Sequence, residues 1–315
     1  MSKINFCGRL KGMKGGRAVY INRLNENLKK KYGCKVYKLS LTSGCSCPKR
    51  DKDNKKGCIF CDGAGAFAAH GTVKEQIEEA KERISKKVKG EIKYISYFQS
   101  FTNTYASADY LRPLFMAAIE PEDVVALSVA TRPDCLGDDI LELLSDINKI
   151  KPVWVELGLQ TINEETAKYI RRGYKLPTFD KAVKDLKEMN IEVIVHQIIG
   201  LPNETKEDMV NTSRYIGKSG ADGIKLHLLH IIDGTELAEE WKEGKIKTLT
   251  MDEYIDILKS CVESLPKNIV IHRLTGDGAK KDLLAPLWSG NKKVVLNSIN
   301  KAFLDADVEQ GRNFF

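Results

Sequence analysis

Short apolar runs alternate along this chain with stretches in which apolar residues recur every three or four positions. The runs predict strands at 36–41, 92–98, 124–129, 153–159, 191–199, 223–229 and, shortest of all, 269–271. The intervening periodicity predicts helices. The first covers 70–89, where Val73, Ile77, Ala80 and Ile84 fall at helical spacing. Others are expected at 111–119 (with Pro113 in the first turn), 138–147, 163–172, 178–189, 205–218, 234–242 and 251–264, and the tail 278–315 reads as mainly helical. Strand and helix repeat about six times, a pattern of parallel strands joined by right-handed crossovers. Mostly continuous apolar strands imply a sheet covered on both faces. Six units are too few to close an eight-stranded barrel. The expected fold is therefore α/β, a partial (β/α)6 TIM-like barrel, with a cysteine-rich loop after the first strand and a helical C-terminal extension. Its expected divisions are a basic N-terminal arm over 1–35, a barrel core over 36–275 and the extension over 276–315.

The polar segments sit just after the strands, at the end where α/β barrels carry their active sites. They include Gln99–Thr104, Thr131–Asp134, Gln160-Thr161 and Gly200-Leu201-Pro202. The longest is the loop from Thr42 to Phe67, rich in glycine and charge, which holds Cys45, Cys47, Cys58 and Cys61. At 315 residues, 42% hydrophobic and 30% charged, the chain has the composition of a soluble globular protein able to bury a large core. It contains no apolar run long enough to span a membrane and no signal-peptide core, which predicts a cytoplasmic protein without membrane partners. In that compartment clustered thiols point to metal or redox chemistry. Cys47, Cys58 and Cys61 are spaced C-x10-C-x2-C, and three thiolates can hold three irons of a [4Fe–4S] cluster while leaving one open. With Cys45 included, four thiolates would suit a closed structural zinc site.

Charge adds a possible partner. Residues 1–37 carry ten Lys and Arg against one acid, Glu26, whereas the whole chain has a net charge of +7. A basic arm beside a reactive site would suit a polyanion, and Lys49, Arg50 and Lys52 in the cysteine loop would extend it. A solvated leader fits the same composition.

Taken together, the motifs resemble the radical S-adenosylmethionine (SAM) superfamily, in its Elp3-like and coproporphyrinogen-oxidase-like group. The resemblance is to the bacterial and archaeal branch linked to tRNA wobble-uridine modification. It rests on Cys47-Pro48-Lys49-Arg50-Asp51, Gly57-Cys58-Ile59-Phe60-Cys61, Tyr97-Phe98-Gln99, Thr102–Tyr105, Thr131–Asp134, Glu156–Thr161, Ile199–Pro202 and Ile271–Leu274, and covers roughly residues 30–300. It implies a [4Fe–4S] cluster on Cys47, Cys58 and Cys61, and SAM cleaved reductively to a 5′-deoxyadenosyl radical. Gln99, Thr102, Asn103, Glu156, Gln160, Arg172, His196 and Gly200 would hold SAM, with Arg172 on its carboxylate and Gly200 beside adenine. Lys225 and His227, on one face of their strand, would act on substrate as catalytic residues. His230, His272 and Arg273 stand near the same strand ends. The implied partners are a tRNA and a reducing protein such as flavodoxin or ferredoxin. The implied reaction converts a carboxymethylaminomethyl group on wobble uridine C5 to aminomethyl. Cys45 and Tyr174 depart from the branch, which usually has an apolar residue and a histidine there. Two other functions fit the residues: radical chemistry on a small metabolite, and a non-catalytic zinc protein that binds nucleic acid.

Overall fold

Seven parallel strands form the main sheet of the computed structural model: β1 (Lys35–Leu41), β2 (Ile92–Phe98), β3 (Val124–Thr131), β4 (Val153–Gln160), β5 (Glu192–Ile199), β6 (Gly223–Leu228) and β7 (Val270–Arg273). The structure describes residues 9–11, 18–50, 57–63, 70–86, 88, 90–276 and 281–315. Each strand pairs with the next in sequence, so the sheet winds one way only and curls into a half-barrel under a cover of helices. Three of those helices begin at capping boxes, Thr72 with Glu75, Thr205 with Asp208 and Thr250 with Glu253, each of which satisfies end donors that would otherwise have no partner. Their apolar stripes (Val73, Ile77 and Ala80 on the first) pack on the outer face of the sheet.

The inner face is layered, because residues two apart on a strand share a face. At the base, Ile95, Ala126, Trp154 and Ile194 form an apolar layer near the strand starts. Leu28 of the helix Leu24–Tyr32 plugs that layer from below. This helix lies within the stretch read as a basic arm. It packs because Leu24, Leu28 and Tyr32 repeat at helical spacing among the lysines. The next layer up is polar: Tyr97, Ser128, Glu156, His196 and Lys225.

Elsewhere the chain differs in detail from expectation. The helix expected at 111–119 starts at Ala108, capped by Ser107, so Pro113 lies in its second turn and not its first. Among the described residues of the tail only Lys292–Asp305 is α-helical; Leu283–Ala285 instead pairs antiparallel with Ile231–Ile232. Among the described residues no helix is long and apolar enough to cross a membrane.

Candidate active site

Glu156 is the centre of the polar layer. It is 1% exposed and is contacted by four side chains. Lys38 of β1 reaches Oε1 at 2.5 Å and Ser128 of β3 donates to the same oxygen at 2.8 Å. His196 of β5 lies 2.8 Å from Oε2, and the ammonium of Lys225 on β6 pairs with that oxygen too. Lys225 also contacts the Tyr97 hydroxyl at 3.0 Å, and both lysines lie 4.5 Å from the Tyr97 ring centroid. Burial alone would push the Glu156 carboxyl up, but Lys225, Lys38 and His196 reverse that and hold it well below the usual range. Burial pushes the Lys225 ammonium down to about 7, against the pull of Glu156. Burial likewise lowers His196 to about 4 and His227 well below its ordinary value, so both imidazoles are neutral near pH 7.

Above this layer opens a cavity of ≈ 670 Å³, with Cys47, Cys58 and Cys61 around one end. The cysteine loop is tied locally. The Arg50 amide donates to Cys47 O at 2.7 Å, the Cys61 amide to Cys58 O at 3.0 Å, and the Arg50 guanidinium donates to Cys61 O. Gly57 and Gly63, at φ +59° and +72°, wrap that guanidinium so closely that a Cβ at either position would strike it. Arg50 is thus a brace of the loop. Lys52, read with it as part of a basic surface, lies outside the described residues.

The cavity wall includes Gln99, Thr102, Glu156, Gln160, Arg172, His196, Lys225 and His227, so eight of the predicted site residues meet the three thiols in one space. Three of the predicted residues, one of them in that wall, are engaged differently from the roles expected of them. Asn103 is fully buried away from the cavity, donating to Phe98 O and Ala130 O at 3.0 Å and accepting from Ser43 at 2.7 Å; it pins the turn after β2. Gly200 does not line the cavity, because the Leu249 side chain occupies the space beside its Cα. Its φ of +91° makes it a turn residue. Arg172 does line the cavity, but its fork is taken up by Thr161 O at 2.6 Å, Tyr174 O at 3.1 Å and Glu164 at 2.9 Å, which makes it a holder of the loop. Tyr174, in place of a histidine, completes that hold: its hydroxyl donates to Gly158 O and its ring lies 4.7 Å from the Arg172 guanidinium. Cys45 packs in the main core, outside the cavity wall.

Lys38 was missed, and Arg132 was read only as part of the Thr131–Asp134 motif, without a role of its own. Lys38 shares the inner face with Ser40, a polar alternation legible in Lys35–Leu41, but its partner lies 118 residues away. Arg132 follows β3 and lines the cavity; its charge acts on Cys58, whose thiol burial raises to about 11. Asp134 orients it through two bonds of 2.8 and 2.7 Å. Lys29, Lys30 and Lys31 ride on the plugging helix, at the opposite end of the half-barrel from the thiols.

Among the described residues no three His, Cys, Asp or Glu side chains converge as a single metal ion requires. Three cysteines lining one cavity, with the fourth packed in the core, fit a cluster that takes one thiolate per iron. The neutral His227, whose Nε2 is buried without a hydrogen-bond partner among the described residues, faces the same space.

The sequence pattern of the Radical SAM superfamily matches residues 47–216, and that of the Radical_SAM C-terminal domain matches 221–304. YtqA of Bacillus subtilis (strain 168) is 39% identical over 296 residues, 92% of each chain. A tRNA uridine(34) acetyltransferase of Methanocaldococcus jannaschii is 30% identical over 174 residues, 52% of this chain and 32% of that one. Among solved structures, archaeal Methanocaldococcus infernus Elp3 with an N-terminal deletion superposes with a TM-score of 0.62 at 20% identity, covering 85% of this chain and 63% of that one. That likeness concerns the fold.

Proposed function

This chain belongs to the radical SAM superfamily, and on that premise we propose that it modifies tRNA, trimming a carboxymethylaminomethyl group on C5 of wobble uridine to aminomethyl: the CH2 beside the amine gives up a hydrogen atom and an electron, SAM being the oxidant, and water hydrolyses the resulting imine to the aminomethyl group and glyoxylate. Enzymes of this superfamily use a [4Fe–4S] cluster and SAM, and they need a reductant. Held by Cys47, Cys58 and Cys61, the cluster would supply the electron that turns SAM into a hydrogen-abstracting radical. The protein's own residues bind, orient and exclude water. Gln99, Thr102 and Gln160 offer polar groups at the rim for the amino-acid end and ribose of SAM. Arg132, fixed by Asp134, balances thiolate charge near the cluster. Glu156, fixed by Lys38, Ser128 and His196, sets the position of Lys225 at the substrate end. Ile170, Ile198 and Leu229 close the wall with apolar surface and keep water from a reactive intermediate.

The observation that carries this reading is the meeting of three thiols and a buried ion-pair network in one cavity at the C-terminal ends of parallel strands. The tRNA assignment is supported by the alignment with an enzyme named for uridine 34 of tRNA. A flavodoxin- or ferredoxin-type protein would serve as electron donor. The test is mass spectrometry of tRNA nucleosides from a deletion strain. The expected result is accumulation of the carboxymethylaminomethyl nucleoside; an unchanged wobble-uridine profile contradicts the proposal.

A further inference from the structure

Two lysines neutralise the single carboxylate of Glu156, and they differ in place. Lys38 holds Oε1 at 2.5 Å from outside the cavity wall, whereas Lys225 is part of that wall. If Lys225 turns its ammonium toward a ligand, Glu156 keeps a full counter-charge from Lys38 and its bond from His196 at 2.8 Å. Lys225 is therefore a cation of the cavity wall that can be exchanged without stranding Glu156. A second feature points the same way. Nε2 of His227 is buried with no partner among the described residues, although buried polar atoms ordinarily have one. Lys225 and His227 are two apart on β6, so they share a face with roughly 6.6 Å of rise between them. An N–CH2–COO⁻ unit with a hydrogen bond at each end spans that rise.

We propose that Lys225 and His227 form a subsite for an N-substituted glycine, whose carboxylate pairs with the Lys225 ammonium and whose amine donates to His227 Nε2. The Tyr97 hydroxyl oxygen accepts from the Lys225 ammonium at 3.0 Å, and its O–H can donate to the incoming carboxylate. The inference rests on the function proposed above, in which the substrate arm is such a glycine, but the subsite is testable without RNA. Lys225 and His227 both line the cavity that Cys47, Cys58 and Cys61 also line.

The test uses isothermal titration of the reconstituted, SAM-bound enzyme with N-benzylglycine and with its methyl ester. The acid should bind about 30-fold more tightly or better, as expected for loss of one buried charge pair. Lys225→Met should abolish that preference and Lys225→Arg should retain most of it. Should Lys225→Met fail to fold, Lys225→Gln removes the charge while keeping a polar head on Glu156 and carries the same comparison. Equal binding of acid and ester by the parent, or a preference that survives loss of Lys225, overturns the subsite. A loss of SAM affinity in Lys225→Met that matches the loss of acid binding also overturns it, by assigning the pocket to SAM. A glycine preference in an enzyme that leaves tRNA unmodified supports the subsite while removing the tRNA reading. Modified tRNA without any glycine preference does the reverse.

Discussion

Arg172 and Cys45 are both buried, and in each the neighbours decide the role. Arg172 gives its donors to the carbonyls of Thr161 and Tyr174 and to Glu164. Arg172→Ala should therefore lower stability by about 3 kcal/mol, measured by urea unfolding, since it leaves buried acceptors without donors. Arg172→Lys should recover little of that, lacking the planar fork. Cys45→Ala should keep its iron on anaerobic reconstitution, whereas Cys47→Ala, Cys58→Ala and Cys61→Ala should each lose the cluster absorbance. Iron loss in Cys45→Ala equal to the other three would make it a ligand. Sequence spacing brought out all four thiols but left this choice open, because burial is a tertiary property. The imidazoles give a pH dependence. His196 is held near 4 against an ordinary 6.5, chiefly by burial, with Lys225 adding to it and Glu156 opposing. Between those values the unfolded chain takes up a proton that the folded one refuses, so stability falls as pH drops from 6.5 toward 4, and His196 leaves it unchanged with pH well above 6.5. Urea midpoints at pH 7 and pH 5 should show the drop, and His196→Gln should reduce it.

At the scale of elements, all seven main strands were legible within a residue or two, because buried parallel strands are largely apolar on both faces. The strand-end motifs were legible too. The helix Leu24–Tyr32 was not, since lysines at 29, 30 and 31 mask its apolar stripe in composition. The same helix corrects the electrostatic picture: these lysines are exposed beneath the half-barrel, away from the cavity. Leu28→Ala should cost about 2–4 kcal/mol, because Leu28 is 5% exposed and fills the base layer. Neutralising Lys29, Lys30 and Lys31 should leave KM for a short anticodon stem-loop essentially as in the parent. A large rise in KM would place the RNA along the base instead. Period-two alternation put Glu156 and Gln160 on one face of β4, but it does not say which strand supplies the partner. Lys38 on the edge strand became legible only once the half-barrel had closed around Glu156.

For the whole molecule, the layers run from an apolar plug through an ion-pair network to a ring of thiols, and that order places reactive chemistry at the open end of the half-barrel. The fold and the superfamily follow from the sequence; the substrate does not, because the residues that would select it, Lys225 and His227, owe their properties to burial and to neighbours far along the chain. The most direct measurement is a single anaerobic reaction of the reduced, reconstituted enzyme with SAM and tRNA from a deletion strain. Production of 5′-deoxyadenosine together with conversion of the carboxymethylaminomethyl nucleoside to aminomethyl is the predicted result. Formation of 5′-deoxyadenosine with every tRNA nucleoside mass unchanged would contradict it.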